Sequence, residues 1–269
     1  MSTTTELTAA TDERTLLRSD ANGVATLTLN RPKQYNALSE GLLTELQTAL
    51  DAIGEDQSVR VVVIAGSGTA FCAGHDLKQM RANPSKAYYR TLFAQCSKMM
   101  MTITRIPQPV IARVHGIATA AGCQLVAQCD LAVAAESAKF AVSGINVGLF
   151  CSTPSVPLGR NVLRKPAMEM LLTGDFVDAA TAKDYGLVNQ VAPVDKLDRV
   201  VHDLAQKIIA KSAIAVATGK RMFYKQMELG LEAAYDYAAE TMACNMMAED
   251  AGEGIDAFMQ KRSPDWRHR

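Results

Sequence analysis

Residues 116–124 read GIATAAGCQ, and the interpretation of the whole chain starts from this stretch. Small residues dominate it, and the apolar run that follows predicts a short helix over residues 121–128. Backbone without bulky side chains can approach a ligand closely, and the first N–H groups of a helix have no partner within the helix. The stretch therefore predicts a glycine-containing loop followed by the start of a helix, which is either an ordinary turn or a place where backbone N–H groups approach a ligand.

Strands and helices alternate on both sides of this stretch. Short apolar or alternating runs predict strands at 24–30, 59–65, 110–114, 131–134 and 187–191. Helices are predicted from the N-cap Ser39 to Gly54, over 81–105, from Thr153 and Pro154, over 166–173 before Gly174, from the N-cap Asp178 to Gly186, and from Asp195 to about residue 250. This order predicts an α/β fold with a helical C-terminal module.

Composition limits the classes of partner. Lys and Arg total 28, as do Asp and Glu, so no global field attracts nucleic acid or a membrane surface. Hydrophobic residues make up 48% of the 269 residues, enough for a sizeable core. No apolar run reaches the roughly 18 residues of a membrane span. We therefore expect a small-molecule ligand or a protein partner.

The six cysteines form neither a CxxC pair nor a cluster with histidine, so no metal site is predicted. Most lie in apolar runs, which is typical of buried reduced thiols in a reducing compartment. The first residues, MSTTTELTAATDER, contain acids and lack an apolar stretch, unlike a secretory signal or a basic transit peptide. A cytoplasmic location is expected.

Several segments, in the same order along the chain, resemble one family. They are NRPK with NAL (30–33 and 36–38), SGTAFCAGHDLK (67–78), GIATAAGCQLVAQCD (116–130), LTG, AK and GLV (172–174, 182–183 and 186–188), and AF with KRSP (257–258 and 261–264). The chain is similar in this way to the crotonase superfamily, also called the enoyl-CoA hydratase/isomerase family. The resemblance covers about residues 15 to 267.

The resemblance implies a crotonase fold in three parts. Residues 1–14 would be a flexible tail, residues 15–195 a spiral of ββα turns, and residues 196–269 a helical region. In the family those C-terminal helices build trimers, which often pair into hexamers. We therefore expect a homotrimer or a hexamer.

The resemblance also implies how a thioester would be held. The backbone N–H groups of His75 and Ala121 would donate to the thioester oxygen when it gains negative charge as an enolate. Removing one such donor typically costs about 3–4 kcal/mol of barrier stabilisation. The family usually has glycine at the second position. Alanine keeps the N–H group there, so this difference matters only if the loop requires a positive φ.

Coenzyme A enters as part of the substrate, and no permanently bound cofactor is expected. By resemblance, the backbone of Ala73 would meet the adenine, and Arg31 and Lys33 are placed to meet phosphates. The element containing Ala37 would lie along the coenzyme. Two further residues, implied to come from a neighbouring subunit, would close over the adenosine end: Phe258 and Lys261.

The catalytic carboxylates of the hydratases are absent. Gln124 and Gly144 stand where those enzymes have glutamates. Hydration needs one carboxylate to deprotonate water and a carboxylic acid to protonate the α-carbon. Gln124 can orient water but cannot exchange a proton at neutral pH, and Gly144 has no side chain. Classical hydratase turnover is therefore expected to be very low.

Three other groups could move protons. The imidazole of His75 titrates near neutrality, although we expect it to face solvent while only its backbone N–H acts. Cys151 could have a lowered pKa at a helix N-terminus, and Asp76 is expected to brace its own loop. Two alternatives stay open: a decarboxylase or thioesterase using His75 or Cys151, and a non-catalytic CoA-ester-binding protein.

Overall fold

The computed structural model describes residues 14–269. The tail predicted for residues 1–14 lies outside the described residues except for Arg14. The described part begins with an antiparallel hairpin of β1 (Leu16–Ala21) and β2 (Val24–Leu29). Asn22 and Gly23 turn this hairpin with φ angles of 51° and 78°. Helix α1 (Glu40–Gly54) follows, and its N-cap Ser39 accepts a hydrogen bond from the Leu42 N–H, as predicted.

Three units of two strands and a helical segment come next. The first unit contains β3 (Val61–Gly66), β4 (Ala70–Cys72), α2 (Leu77–Ala82) and α3 (Lys86–Arg105). The second contains β5 (Val110–Val114), β6 (Ile117–Thr119) and α4 (Ala121–Gln128). The third contains β7 (Leu131–Ala135), β8 (Lys139–Ala141), α5 (Ser152–Asn161) and α6 (Arg164–Thr173). Each unit is one ββα repeat.

The remaining elements complete two sheets and a helical end. They are β9 (Val177–Asp178), α7 (Ala179–Asp184), β10 (Gln190–Ala192), α8 (Leu197–Ile209), α9 (Ala213–Gln226), α10 (Leu231–Met246) and α11 (Glu249–Met259). The helical C-terminal region therefore matches the pattern expected from the sequence. None of the helices within residues 14–269 is long and apolar enough to cross a membrane.

The two sheets share the repeats between them. The larger has the strand order β1-β2-β3-β5-β7-β10, and the smaller has the order β4-β6-β8-β9. In each repeat the first strand joins the large sheet and the second joins the small one. The pairs β4–β6 and β6–β8 are parallel, so these strands end at the same edge. The α/β class and the spiral of ββα turns are confirmed.

Some element boundaries differ from the prediction. The strand expected at 187–191 is β10, Gln190–Ala192. Helix α5 begins at Ser152 with Cys151 as its N-cap, so Thr153 is not the cap. Strands β4, β6 and β8 were not predicted, because three residues are too few to show a strand period.

The core lies mainly between the helices and the two sheets. Leu46 and Leu50 of α1 are fully buried there with Phe71 of β4 and Phe140 of β8. Helix α8 covers the other face of the large sheet, packing its own apolar residues against those of β3, β5 and β7. Five of the six cysteines are buried, all are unpaired, and Cys244 is exposed.

A buried ion pair fastens α9 to this core. Lys220 lies 2.7 Å from an Asp130 carboxylate oxygen, and it also donates hydrogen bonds to the Ile103 and Gln108 carbonyls. Asp130 accepts further hydrogen bonds from the Val110 N–H and the Tyr224 hydroxyl. Burial lowers the pKa of Lys220, and the Asp130 carboxylate opposes that shift. Asp130 therefore joins α9 to the start of β5.

Replacing Lys220 with methionine tests this attachment. The change leaves the Asp130 charge buried without its cation, and breaking a buried pair in this way typically costs about 3–5 kcal/mol. We expect Lys220→Met to lower the free energy of unfolding by about 3 kcal/mol in urea titrations. Lys225→Met, at an exposed position on the same helix, is the control and should change little. Equal effects of the two variants would contradict the role of the pair.

Candidate active site

The loops that follow β4, β6 and β8 meet at one edge of the small sheet. They contain residues 73–76, 120–121 and 142–151. Parallel pairing brings them together, because strands that run in the same direction end side by side. Ligands of parallel sheets commonly bind outside these carboxyl ends. The two loops that the sequence predicted to hold a thioester therefore lie next to each other.

The backbone around His75 is fixed by a parallel bridge to Leu38. The Leu38 N–H donates to the Gly74 carbonyl at 2.7 Å, and the Asp76 N–H donates to the Leu38 carbonyl at 3.2 Å. In such a bridge the residue between these two bonds points its own N–H to the opposite side. Within residues 14–269 the His75 N–H has no hydrogen-bond acceptor. It is a free donor aimed away from residue 38.

The second donor begins α4. Ala121 is the first residue of that helix, and its N–H has no acceptor in the described part of the chain. Ala120 precedes it with φ 50° and ψ −121°, a conformation that normally requires glycine. Positive φ therefore falls on Ala120, while Ala121 is helical. Strain of this kind costs about 1–3 kcal/mol and persists where the surrounding structure enforces it.

Contacts at Gly74 place the two donors close together. A Cβ atom built on Gly74, whose φ is 95°, would lie 2.9 Å from the Ala120 Cβ and 3.2 Å from the Ala121 nitrogen. Gly122 has a similar constraint, because a Cβ there would collide with the Cys72 carbonyl. The α4 N-terminus adds favourable potential for negative charge. The arrangement can stabilise an oxyanion between two main-chain donors.

The His75 side chain is not turned to solvent, contrary to the sequence expectation. Its ring packs edge-on against Phe93 of α3, with 5.5 Å between ring centroids. Both ring nitrogens are buried, and neither makes a hydrogen bond of standard length and angle within residues 14–269, although the Leu38 carbonyl lies near the ring. Burial lowers the pKa of His75, and the nearby Leu38 backbone offsets this only in part. The imidazole is therefore neutral near pH 7.

Gln124 lies one turn beyond Ala121 on α4 and is 4% exposed. Its Oε1 atom is buried and lacks a hydrogen-bond donor among the described residues. A buried amide oxygen without a donor is uncommon in a native structure. Gln124 therefore offers a neutral acceptor for a bound molecule.

Gly144 lies against the Cys151 thiol. The Gly144 N–H donates to Cys151 Sγ at 3.3 Å, and the thiol donates to the Val142 carbonyl at 3.4 Å. Burial raises the pKa of Cys151, and the Gly144 N–H opposes that shift. The lowered pKa considered as one possibility for Cys151 is therefore not found, because burial outweighs the helix N-terminus. The thiol stays protonated and is a poor nucleophile.

Asp76 braces its loop, as the sequence predicted. It caps α2 by accepting hydrogen bonds from the Lys78 and Gln79 N–H groups, and it pairs with Arg31 at 2.9 Å. Burial alone would raise the pKa of Asp76, but these hydrogen bonds lower it. Arg31 also donates to the Ala37 carbonyl. The carboxylate is therefore committed to structure.

The other residues assigned to coenzyme A are more scattered. The Ala73 N–H donates to the Tyr35 carbonyl, which ties this loop to the segment containing the exposed Lys33. Phe258 is 84% exposed at the end of α11, and Lys261 follows with φ 55°. Helix α11 packs on α9 and α10 of its own chain.

Two aromatic residues of α3 lie at this site and were not predicted from the sequence, Tyr89 and Phe93. Phe93 contacts the His75 ring, and Tyr89 stacks behind Phe93 with 6.5 Å between centroids. Their spacing of four residues puts them on one helix face, which is a detectable signal. Nothing in the sequence says which loop that face meets.

Comparisons with known proteins match almost the whole chain. The model of the enoyl-CoA hydratase/isomerase family matches residues 19–269. The rat protein named enoyl-CoA hydratase domain-containing protein 3, mitochondrial, is 44% identical over 247 residues, 92% of this chain and 82% of the relative. A Mycobacterium smegmatis enoyl-CoA hydratase structure has 60% identity and a TM-score of 0.93, covering 94% of this chain and 99% of that one. The human enoyl Coenzyme A hydratase domain-containing protein 3 has 43% identity and a TM-score of 0.91, covering 94% and 100%.

The cytoplasmic location expected from the sequence is wrong. Relatives from rat, mouse, Xenopus laevis and human, each 44% or 45% identical to this chain, carry the word mitochondrial in their names. The expectation used only the composition of the first residues and the pattern of cysteines. Reduced thiols do not distinguish one reducing compartment from another.

Glycine substitution at residues 120 and 121 tests where the backbone is strained. Ala120→Gly should raise the free energy of unfolding by about 1 kcal/mol, because glycine adopts the observed φ and ψ without strain. Ala121→Gly is the matched control and should lower it by about 0.5–1 kcal/mol, since residue 121 is helical. Urea titration measures both values. Destabilisation of similar size in both variants would show that Ala120 is not strained.

Introducing a glutamate at residue 144 tests how completely its space is filled. A Cβ at Gly144 would lie 2.5 Å from the Leu149 carbonyl oxygen and 2.7 Å from Cys151 Sγ. We expect Gly144→Glu to cost about 1–3 kcal/mol of stability through overpacking and to give no hydration of crotonyl-CoA. Gly159→Glu, where nothing lies within 4 Å, should leave stability nearly unchanged. A stable Gly144→Glu protein that hydrates crotonyl-CoA would contradict this geometry.

Proposed function

The chain belongs to the enoyl-CoA hydratase/isomerase family, and from that premise we propose that it binds acyl-CoA thioesters and stabilises their enolate form. The N–H groups of His75 and Ala121 would both donate to the thioester oxygen. The observation that carries this proposal is the pair of free donors held together at Gly74. Such donors act most strongly on charge that develops during reaction, in a site that excludes water.

The coenzyme would run from this pair toward the segment that contains Ala73, Ala37, Arg31 and Lys33. The Ala73 N–H is already joined to the Tyr35 carbonyl, so this backbone is ordered before a ligand arrives. Arg31 is held by Asp76, which leaves Lys33 as the exposed cation best able to meet a phosphate. Phe258 and Lys261 would reach the adenosine end from a neighbouring subunit.

A helical surface supports that neighbouring subunit. Helices α9, α10 and α11 expose many large apolar side chains, more than a solvated surface normally presents. They include Phe223, Met227, Leu231, Tyr235, Met242, Met246, Met247, Phe258 and Met259. We assign residues 196–269 to assembly of a homotrimer, or of a hexamer made from two trimers.

Classical hydration would be slow on this scaffold. Gln124 and Gly144 supply no carboxylate, and losing general acid–base help typically costs about 10²–10⁴-fold per group. Asp76 cannot replace them, because it is held by Arg31 and by the start of α2. We therefore expect a site built like that of an enoyl-CoA hydratase or isomerase but with a very low rate of hydration.

A different CoA-ester reaction is the second candidate, and the buried imidazole of His75 favours it. A decarboxylation leaves an enolate that the two amides could hold without a base. A thioesterase using Cys151 is disfavoured, because its thiol is protonated and donates to the Val142 carbonyl. A non-catalytic CoA-ester-binding protein would keep the amides and lack any reaction.

A panel of CoA esters separates these functions. Calorimetric titration with butyryl-CoA measures binding, and incubation with crotonyl-CoA and malonyl-CoA followed by mass spectrometry measures chemistry. We expect binding of butyryl-CoA and little hydration of crotonyl-CoA. Loss of carbon dioxide from malonyl-CoA would identify a decarboxylase, and binding without any product would identify a non-catalytic protein. Absence of binding to every ester would contradict the proposed function.

Replacing Gly74 with alanine tests the paired donors. A methyl group at this position would push against Ala120 and the Ala121 nitrogen, so the two amides would separate. We expect Gly74→Ala to weaken butyryl-CoA binding at least tenfold in calorimetric titrations, or about 1.4 kcal/mol.

Gly23→Ala is the matched control for that change. Gly23 also has a positive φ, 78°, but it lies in the β1–β2 hairpin, where an added methyl makes only ordinary contacts. Both variants therefore carry backbone strain, and only one disturbs the amide pair. Equal binding by the Gly74→Ala and Gly23→Ala proteins would refute the assigned role of Gly74.

A further inference from the structure

We propose that the imidazole of His75 transfers the proton at the α-carbon of the bound acyl group, and that Phe93 is its positioning residue. This inference rests on the proposed function, because the thioester must first be held by the two amides. It adds a proton-transfer group to a site that has lost both hydratase carboxylates. It also gives the His75 side chain a role beside that of its backbone N–H.

The unpartnered ring nitrogens are the first support. Buried polar atoms in native structures nearly always have a hydrogen-bond partner, and an exception calls for an explanation. Both nitrogens of His75 are such exceptions among residues 14–269. If the ring served only for packing, an apolar ring would fill the same space without the free-energy cost of burying polar atoms. A thioester held by the two amides would give these nitrogens a partner.

The neighbouring titratable groups are all engaged elsewhere. Asp76 and Arg31 pair with each other, and Asp76 also caps α2. On α3 the Tyr88 hydroxyl donates to Glu40 and the Tyr89 hydroxyl donates to the Met80 carbonyl. Glu40 of α1 also accepts a hydrogen bond from Gln79. Among these residues only the His75 ring remains free to exchange a proton.

The backbone N–H and the imidazole belong to the same residue, so the thioester oxygen and the ring that accepts the proton would lie close together. The N–H of His75 would hold the thioester oxygen, and the α-carbon is bonded to that same carbonyl carbon. A ring nitrogen then takes the α-proton, and the C–H electron pair becomes the carbon–carbon π bond of the enolate. Negative charge collects on the oxygen between the His75 and Ala121 amides. Return of a proton from the imidazolium regenerates the thioester.

Phe93 fixes the ring direction. Its contact with His75 is edge-on, with an interplanar angle of 66°, and Tyr89 stacks on Phe93. Helix α3, which carries both aromatics, also packs on α4, where Gln124 lies. The imidazole is therefore held between the loop at 73–76 and a rigid helix. A neutral ring held in this way can act as a base near neutral pH.

Hydrogen–deuterium exchange of butyryl-CoA tests the proton transfer without assuming an overall reaction. The protein is incubated with butyryl-CoA in D₂O, and deuterium in the recovered ester is measured by mass spectrometry. We expect the wild-type protein to catalyse exchange at the α-carbon. His75→Gln keeps the backbone N–H but cannot exchange a proton, so exchange should fall at least about 100-fold. Calorimetry should find butyryl-CoA binding within about threefold of wild type, since the amide remains.

His115→Gln is the matched control. His115 is also partly buried, but its ring contacts the Gly68 carbonyl outside the proposed site. Exchange by this variant should equal that of the wild-type protein.

Phe93→Leu tests the positioning role. We expect about a tenfold lower exchange rate with unchanged butyryl-CoA affinity, because the ring is free to turn while the amides stay in place. Phe93→Tyr keeps the aromatic face and should restore most of the rate. Phe223→Leu, at an exposed position on α9, is the control for loss of an aromatic ring. A parallel loss of rate and affinity in Phe93→Leu would indicate a purely structural role and would overturn the assignment.

Two outcomes separate this inference from the proposed function. Binding of butyryl-CoA without exchange, or exchange that survives in His75→Gln, overturns the inference and leaves the function standing. Failure of butyryl-CoA to bind the wild-type protein overturns the proposed function itself.

Discussion

The parallel pairing of β4 with β6 is the constraint on which the site depends. Because both strands run in one direction, the turn at Gly74 and His75 ends beside the turn at Ala120 and Ala121. The bridge to Leu38 then directs one N–H outward, and the start of α4 supplies the other. Two strands of three residues therefore set the position of both donors, while the large sheet and the helices hold those strands in place.

Among the described residues around the two amides, the site contains no free carboxylate. The space beside Gly144 is filled by the Cys151 thiol and the Leu149 carbonyl, and Gln124 contributes a neutral amide. Asp76 is used for structure. What remains is a neutral imidazole beside the two N–H groups. Such a site fits the proposed stabilisation of an enolate by main-chain donors, and it offers no carboxylate to activate water.

Much of the fold could be predicted from sequence, because long elements have clear periods and caps. Ser39 and Asp178 each marked a helix start correctly. The loops of the site were predicted from their sequence motifs. The orientations and pKa values of its side chains were not, because they depend on contacts between residues that are distant in the sequence. The direction of the His75 ring depends on Phe93, and the pKa of Cys151 depends on burial. The positive φ at Ala120 also had no local signal, since alanine rarely adopts it.

The most direct measurement of the central claim compares butyryl-CoA with S-butyl-CoA, a thioether of equal length without the carbonyl oxygen. Calorimetric titration of both ligands isolates the contacts made by that oxygen. A hydrogen bond typically contributes about 1 kcal/mol net, so two donors predict at least tenfold tighter binding of the thioester, about 1.4 kcal/mol. Equal affinity for the two ligands would contradict the account, because it would mean that neither N–H group holds the oxygen.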